Sequence, residues 1–170
     1  MDAFVLAQQC ATSVHPQTMA AVVRVESGGN PFAIGVVGTR LKRQPRNRTE
    51  ATATVRWLED HGFNYSVGLA QVNKTNFARY GLTANSAFDV CENLRAGASI
   101  LTECFLRARQ RRREDEQSAL HAAFSCYYSG NYVTGFRQGY VMRVLGTVPV
   151  RLSETRFAFA PASAGHVGIP

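Results

Sequence analysis

The chain has no apolar run near the roughly 18–20 residues that a bilayer-crossing helix needs, so no integral membrane segment is expected. Its opening Phe4-Val5-Leu6-Ala7 is too short for the apolar part of a secretory signal. Either such a signal has been removed or export takes another route. Cysteine is scarce, and none of Cys10, Cys91, Cys104 and Cys126 has the C-x-x-C spacing of a zinc site. His15, His61, His121 and His166 are scattered, so neither a metal nor a cofactor is expected. No internal repeat is visible.

Negative charge is also in short supply. Lys and Arg number 19 against 12 Asp and Glu, a net charge of +7. That balance suits nucleic acid, an anionic membrane surface, or an anionic polymer such as a glycan bearing peptide carboxylates. One basic stretch is Arg40-Leu41-Lys42-Arg43-Gln44-Pro45-Arg46-Asn47-Arg48, which reads equally as a surface loop or as the flank of a site. The other, Arg107 to Arg113, runs into Glu114-Asp115-Glu116 and reads as a solvated helix end. Neither carries a nucleic-acid motif, and no nucleic-acid partner is expected.

What is present fits one domain of 170 residues with a substantial core. The pattern is mostly helical. Residues 3–13 make a short first helix, and His15-Pro16 opens a second with proline at a favourable first-turn position. Residues 30–45 are irregular, with a short β-hairpin expected over 36–41. Thr49 caps a helix over 50–61, and Asn64 to Val67 reads as extended. Asn73 caps a helix over 74–79, and Asp89-x-x-Glu92 is a capping-box pattern. Ser118 opens a helix that places Leu120, Ala123, Phe124 and Tyr127 on one face. A last helix over 132–145 turns Val133, Phe136, Tyr140 and Val144 inward. The domain is expected over 1–146, and 147–170 reads as a flexible tail or the start of a linker. Cys91 and Cys104 share one helix at 1.5 Å per residue, about 20 Å apart, too far for a disulfide. In an exported domain that leaves Cys10–Cys91 with Cys104–Cys126, or Cys10–Cys104 with Cys91–Cys126.

Glu26 stands out. Met19, Val22, Val23 and Glu26 sit at i, i+3, i+4 and i+7, so a carboxyl takes the next slot of an apolar stripe. It also lies in the last helical turn, before Gly28-Gly29. Partial burial and the negative end of the helix dipole both disfavour the charged form and should raise its pKa. An acid still protonated near neutral pH is what general-acid catalysis requires.

Four stretches then follow in order. They are Val25-Glu26-Ser27-Gly28-Gly29-Asn30-Pro31, Ser66-Val67-Gly68-Leu69-Ala70-Gln71-Val72-Asn73, Asn93-Leu94-Arg95-Ala96-Gly97, and Ala122-Ala123-Phe124-Ser125-Cys126-Tyr127-Tyr128-Ser129-Gly130. Together they resemble the lysozyme-like soluble lytic transglycosylases of bacteria. Within that family, Leu6-Ala7-Gln8-Gln9-Cys10-Ala11, the insertion around Ala33 to Gly38, and Cys126-Tyr127-Tyr128 look like the first component of VirB-type type IV secretion systems. The resemblance implies a mainly α, lysozyme-like α+β fold with a short β-hairpin region and a substrate groove. It also favours pairing Cys10 with Cys91, which leaves Cys104 with Cys126.

Carried over residue by residue, the resemblance makes Glu26 the single catalytic acid and base. Ser27 becomes a support beside it, Gly68, Leu69 and Gln71 line the glycan groove, and Tyr127 stands near the acid. Asn73 closes its block and doubles as a helix cap, while Ser66 and Tyr128 are supporting positions. Ala70 stands where the family has methionine, implying a wider subsite. Tyr128-Ser129 stands where the family has Asn-Ala.

A two-carboxylate glycosidase needs a second Asp or Glu about 5–9 Å from the acid. Asp89 reads as a helix cap, and Glu59 and Asp60 as exposed residues, so no partner stands in a catalytic pattern. The family's chemistry needs none. The implied activity is cleavage of the β-1,4 bond between N-acetylmuramic acid and N-acetylglucosamine in peptidoglycan, with a 1,6-anhydro product. The implied setting is the periplasm, where the wall is opened for a type IV secretion system whose other components are partners. The alternatives are a hydrolytic lysozyme and a glycan-binding assembly factor of the secretion system.

Overall fold

The computed structural model describes residues 2–112 and 115–147, so the expected tail lies outside the described residues from residue 148 onward. Helix α1 (Ala3–Cys10) is capped by Asp2, whose carboxylate accepts from the Phe4 N–H at 2.8 Å. It is three residues shorter than its pattern suggests. Cys10 is tied to Cys91, and the chain turns at Ala11 to reach the next helix. Helix α2 (Pro16–Ser27) starts on the His15 ring, with proline in its first turn, and stops at Gly28, whose left-handed backbone (φ 61) lets its N–H close on the Arg24 carbonyl.

Strand β1 (Ile34–Val36) does not form the expected local hairpin. It pairs antiparallel with β2 (Tyr65–Val67), Ile34 opposite Val67 and Val36 opposite Tyr65. The other edge of β1 is taken by a side chain. Gln44 Oε1 accepts from the Ile34 N–H at 2.8 Å, and Gln44 Nε2 donates to the Ile34 carbonyl at 3.0 Å. One amide side chain thus satisfies the two backbone groups that a second hairpin strand would have paired. Strand β3 (Val72–Asn73) adds to β2 and completes a three-stranded sheet in the order β1-β2-β3.

Helix α3 (Arg48–Asp60) is capped by Asn47 rather than Thr49, with Asn47 Oδ1 accepting from the Glu50 N–H. The short helix expected over 74–79 is two 3₁₀ turns, Lys74–Asn76 and Ala78–Tyr80. Helix α4 (Val90–Arg112) is the longest, and Asp89 caps it by accepting from the Glu92 N–H at 3.0 Å. Helix α5 (Glu116–Ser129) is capped by Asp115, three residues before the expected Ser118, because the Asp115 carboxylate takes the N–H groups of both Gln117 and Ser118.

The last expected helix is broken in two. Gly139 adopts φ 70, separating α6 (Thr134–Arg137) from α7 (Tyr140–Gly146). The break changes which residues face inward. Tyr140 and Val144 are buried as expected, but Val133 and Phe136 are each 46% exposed. Both disulfides form, Cys10–Cys91 joining α1 to α4 and Cys104–Cys126 joining α4 to α5. Helix α4 therefore runs through the core, carrying the buried Leu94, Leu101 and Phe105. The fold is mainly α with one small antiparallel sheet, and no described helix is long and apolar enough to cross a membrane.

Candidate active site

The stripe that singled out Glu26 is a real packing face. Met19, Val22 and Val23 are each at most 1% exposed, and Glu26 follows them at the end of α2. The residue keeps a partly open position, while protein packs closely around its carboxyl. Burial pushes its pKa from an ordinary 4.5 up to about 7, against the downward pulls of a Tyr140 hydrogen bond and of the Arg143 charge. The Tyr140 hydroxyl donates to Glu26 Oε1 at 2.5 Å.

Tyr140 is itself held from several sides. Its ring stacks on Tyr128 with centroids 4.6 Å apart, and the Arg143 guanidinium lies 5.8 Å from its centre. Tyr128 in turn donates to Gln138 Oε1 at 2.7 Å. The Tyr127 hydroxyl donates to the Ala70 carbonyl at 2.5 Å. Burial, then the negative charge of Glu26, pushes both Tyr127 and Tyr140 well above the usual tyrosine range, so both hydroxyls stay protonated and act as donors.

The segment facing Glu26 runs from Gly68 to Gln71 and depends on one buried amide. Asn93, on α4, donates to the carbonyls of Val67 and Ala87, both at 2.9 Å, and accepts from the Ala70 N–H at 2.8 Å. Gly68 is glycine for two reasons: its φ is 80, and a Cβ there would stand 2.3 Å from Asn93 Nδ2. Gly97 on α4 admits the segment from below, since a Cβ would meet the Ala70 Cβ at 2.5 Å. Gln71 takes φ 46 and donates through Nε2 to the carbonyls of Ala33 and Gly68, both at 3.0 Å. These bonds hold a non-glycine residue in a sparsely populated backbone region, a condition typical of sites.

A groove of about 740 Å³ runs past these residues. Glu26, Ser66, Gln71, Asn73, Tyr127 and Tyr128, all singled out in the sequence, line it. Asn73 Nδ2 donates to the Ser66 hydroxyl at 3.2 Å, and its Oδ1 accepts from the Thr75 N–H, so it is both groove wall and cap. Ser27, Gly68 and Leu69 instead shape the wall from behind. The Ser27 hydroxyl lies 3.1 Å from the Val23 carbonyl and 2.9 Å from the Leu69 carbonyl, tying the end of α2 to the facing segment. Leu69 is buried, and so is Ala70, whose Cβ packs beside Gly97 of α4.

Two features escaped the sequence reading. Tyr140 read as an apolar core residue, yet its hydroxyl reaches the acid. A buried tyrosine ordinarily needs a partner for its O–H, and that was the available signal. The second is Glu103, which lines the same groove. Arg79 Nη2 meets its Oε2 at 2.5 Å and the Tyr80 hydroxyl donates to its Oε1 at 2.9 Å. The carboxylates weighed from sequence do other work: Asp89 caps α4 and Glu59 accepts from the Tyr65 hydroxyl at 2.6 Å. Among the described residues no three His, Cys, Asp or Glu side chains come together as a metal site.

A partly enclosed acid at a helix end, set across an open groove from a small antiparallel sheet, defines a site of the lysozyme-like class. The chain belongs to the Transglycosylase SLT domain family, which it matches over residues 4–138. It is 53% identical over 151 residues to the type IV secretion system protein virB1 of Brucella suis biovar 1 (strain 1330), covering 86% of this chain and 63% of that protein. It is 37% identical over 139 residues to protein virB1 of Rhizobium radiobacter, covering 82% of this chain and 57% of that protein. Protein virB1 of Agrobacterium fabrum (strain C58 / ATCC 33970) is 36% identical over 138 residues, covering 81% and 56%. The chain thus spans somewhat under two thirds of the length of these curated relatives. No solved structure matches it.

Proposed function

We propose that this chain is a peptidoglycan lytic transglycosylase that opens the cell wall locally for a type IV secretion system. Its bond is the β-1,4 linkage between N-acetylmuramic acid and N-acetylglucosamine. The observation that carries the reading is Glu26 itself, a groove-lining carboxyl whose pKa is pushed up to about 7 and which accepts a hydrogen bond from a tyrosine. Membership of the SLT domain family supports the reaction class, and similarity to virB1 proteins supports the secretion setting and a periplasmic site of action.

In this reading one carboxyl serves twice. Tyr140 donates to Glu26 Oε1, so the proton of the neutral acid belongs on Oε2. Glu26 passes that proton to the glycosidic oxygen as the bond to the muramic C1 breaks. The resulting carboxylate keeps the Tyr140 hydrogen bond and feels the Arg143 charge, both of which favour its ionised form. It then takes the proton of the muramic C6 hydroxyl as that oxygen attacks C1. The proton given is the proton recovered, no water is consumed, and the product ends in a 1,6-anhydro ring. A nucleophile within the same sugar carries a large effective concentration.

Replacing the acid tests this directly. Glu26→Gln should release no 1,6-anhydro-muropeptides from purified sacculi, while its circular dichroism matches wild type; full activity in that variant would overturn the assignment. A hydrolytic lysozyme is the second reading, and the specific observation in its favour is Glu103 in the same groove. Mass spectrometry separates the two, because hydrolysis adds one water to each cleaved bond.

A further inference from the structure

The wall that carries Glu103 holds more positive charge than it neutralises. Arg79 and Arg107 both line the groove. Arg79 is paired with Glu103 at 2.5 Å. Arg107 is not paired: among the described residues the ion pairs are Arg43–Glu50, Arg79–Glu103 and Arg95–Glu92. Its Nη2 instead lies 3.6 Å from both Cys104 Sγ and Cys126 Sγ, so the guanidinium rests on the disulfide that joins α4 to α5. Disulfide sulfur is a poor acceptor and carries no charge to offset a cation. Both guanidinium charges reach the Tyr80 hydroxyl between them: its pKa is raised to about 12 by burial and then by Glu103, and is pulled back by Arg79 and Arg107. The wall therefore sets two cations against one carboxylate, with the free one placed on a covalent crosslink.

A planar guanidinium with unused N–H groups, facing a substrate groove, matches a carboxylate in two-pronged geometry. We propose that Arg107, seconded by Arg79, binds a carboxylate on the lactyl-peptide arm of a muramic residue and so selects strands that carry such a charge. This rests on the reading above that glycan strands fill the groove. The Arg107 head rests against the Cys104–Cys126 crosslink, and all three residues line the groove.

The test compares kcat/KM on purified glycan strands with free carboxylates and on the same strands after conversion of those carboxylates to carboxamides. Wild type should prefer the charged strands by about ten-fold at low salt, falling to about two-fold at 1 M salt as screening removes the attraction. Arg107→Gln should bring the ratio close to one, and Arg107→Lys should restore part of it. Equal rates on both preparations by wild type would overturn the inference while leaving release of anhydro products, and hence the proposed function, intact. Cleavage of neither preparation would sink that function and the inference together. Strands stripped of peptide by an amidase instead expose the lactyl carboxylate, which is an uncharged amide in peptide-bearing strands. A preference for that charge over its carboxamide shows that the lactyl carboxylate also serves, and no preference there confines the recognition to peptide carboxylates.

Discussion

Glu26 and Glu103 line one groove and are built for opposite tasks. Glu26 lies in the last turn of a helix whose inner face is Met19, Val22 and Val23, and its direct donor among the described residues is the neutral Tyr140 hydroxyl. Glu103 sits in the middle of α4 and is met by a guanidinium on one oxygen and a tyrosine on the other. Both have a tyrosine donor, so the tyrosine is not what separates them. The separation comes from burial without a paired cation on one side and an ion pair on the other. The same residue type has its charged form disfavoured where burial dominates, and is held in an ion pair where a guanidinium meets it.

The largest expected effect is at the acid. Glu26→Gln should lower glycan cleavage by about 10³-fold or more, in the upper part of the range for losing an acid–base group. A comparable loss in Glu103→Gln would break the contrast and favour a two-carboxylate hydrolysis. Next comes Tyr140→Phe, expected to cost about ten-fold in kcat/KM. Its hydrogen bond lowers the Glu26 pKa, so its removal should move that pKa above about 7. Activity needs the protonated acid, so the alkaline limb of the kcat/KM profile should shift to higher pH. A limb that stays in place or moves to lower pH would show that Tyr140 does not act through Glu26.

Stability should move the other way. The folded state holds the Glu26 proton up to about 7 against an ordinary 4.5. Stability linked to this group is therefore complete below about pH 4.5 and is lost as pH rises through 7. Glu26→Gln escapes that loss, and should melt higher than wild type at pH 8 but not at pH 4.5. The gain is at most about 3 kcal/mol, from the size of the shift. Equal melting shifts at both pH values would mean that Glu26 is not the strained group. The smallest effect is expected at Glu103→Gln, less than about three-fold in cleavage of the strands. Because that change frees Arg79, it should also widen rather than narrow the preference for charged strands.

The site was legible in sequence where a residue's role depends on its own element. The position of Glu26 was readable because helical periodicity alone placed a carboxyl in an apolar slot, while its assignment as the acid came from the four-block resemblance. Asn73 was readable as a cap for the same reason. The role of Asn93 was not, since it bonds Val67, Ala70 and Ala87, residues brought together only by folding. Strand β1 was misjudged for a related reason: its true partner is 33 residues away in the first pair, Ile34 against Val67, and Gln44 closes its other edge. The final helix was read as continuous because Gly139 is tolerated in a helical pattern, and only its positive φ shows the break.

By itself, then, the sequence determined the local and periodic facts: a mostly helical domain, an acid on an apolar stripe, four ordered blocks and the exclusion of a Cys91–Cys104 crosslink. Each follows from spacing along one element or from chain geometry. The tertiary structure alone decided that the acid meets Tyr140 from a helix 114 residues away, and that Glu103 meets Arg79 and Tyr80 in the same groove. It also decided that the second disulfide sits beneath Arg107, which has no ion-pair partner among the described residues. Those outcomes depend on burial and on charges from separate elements, which act through distance in space and leave no period in the chain.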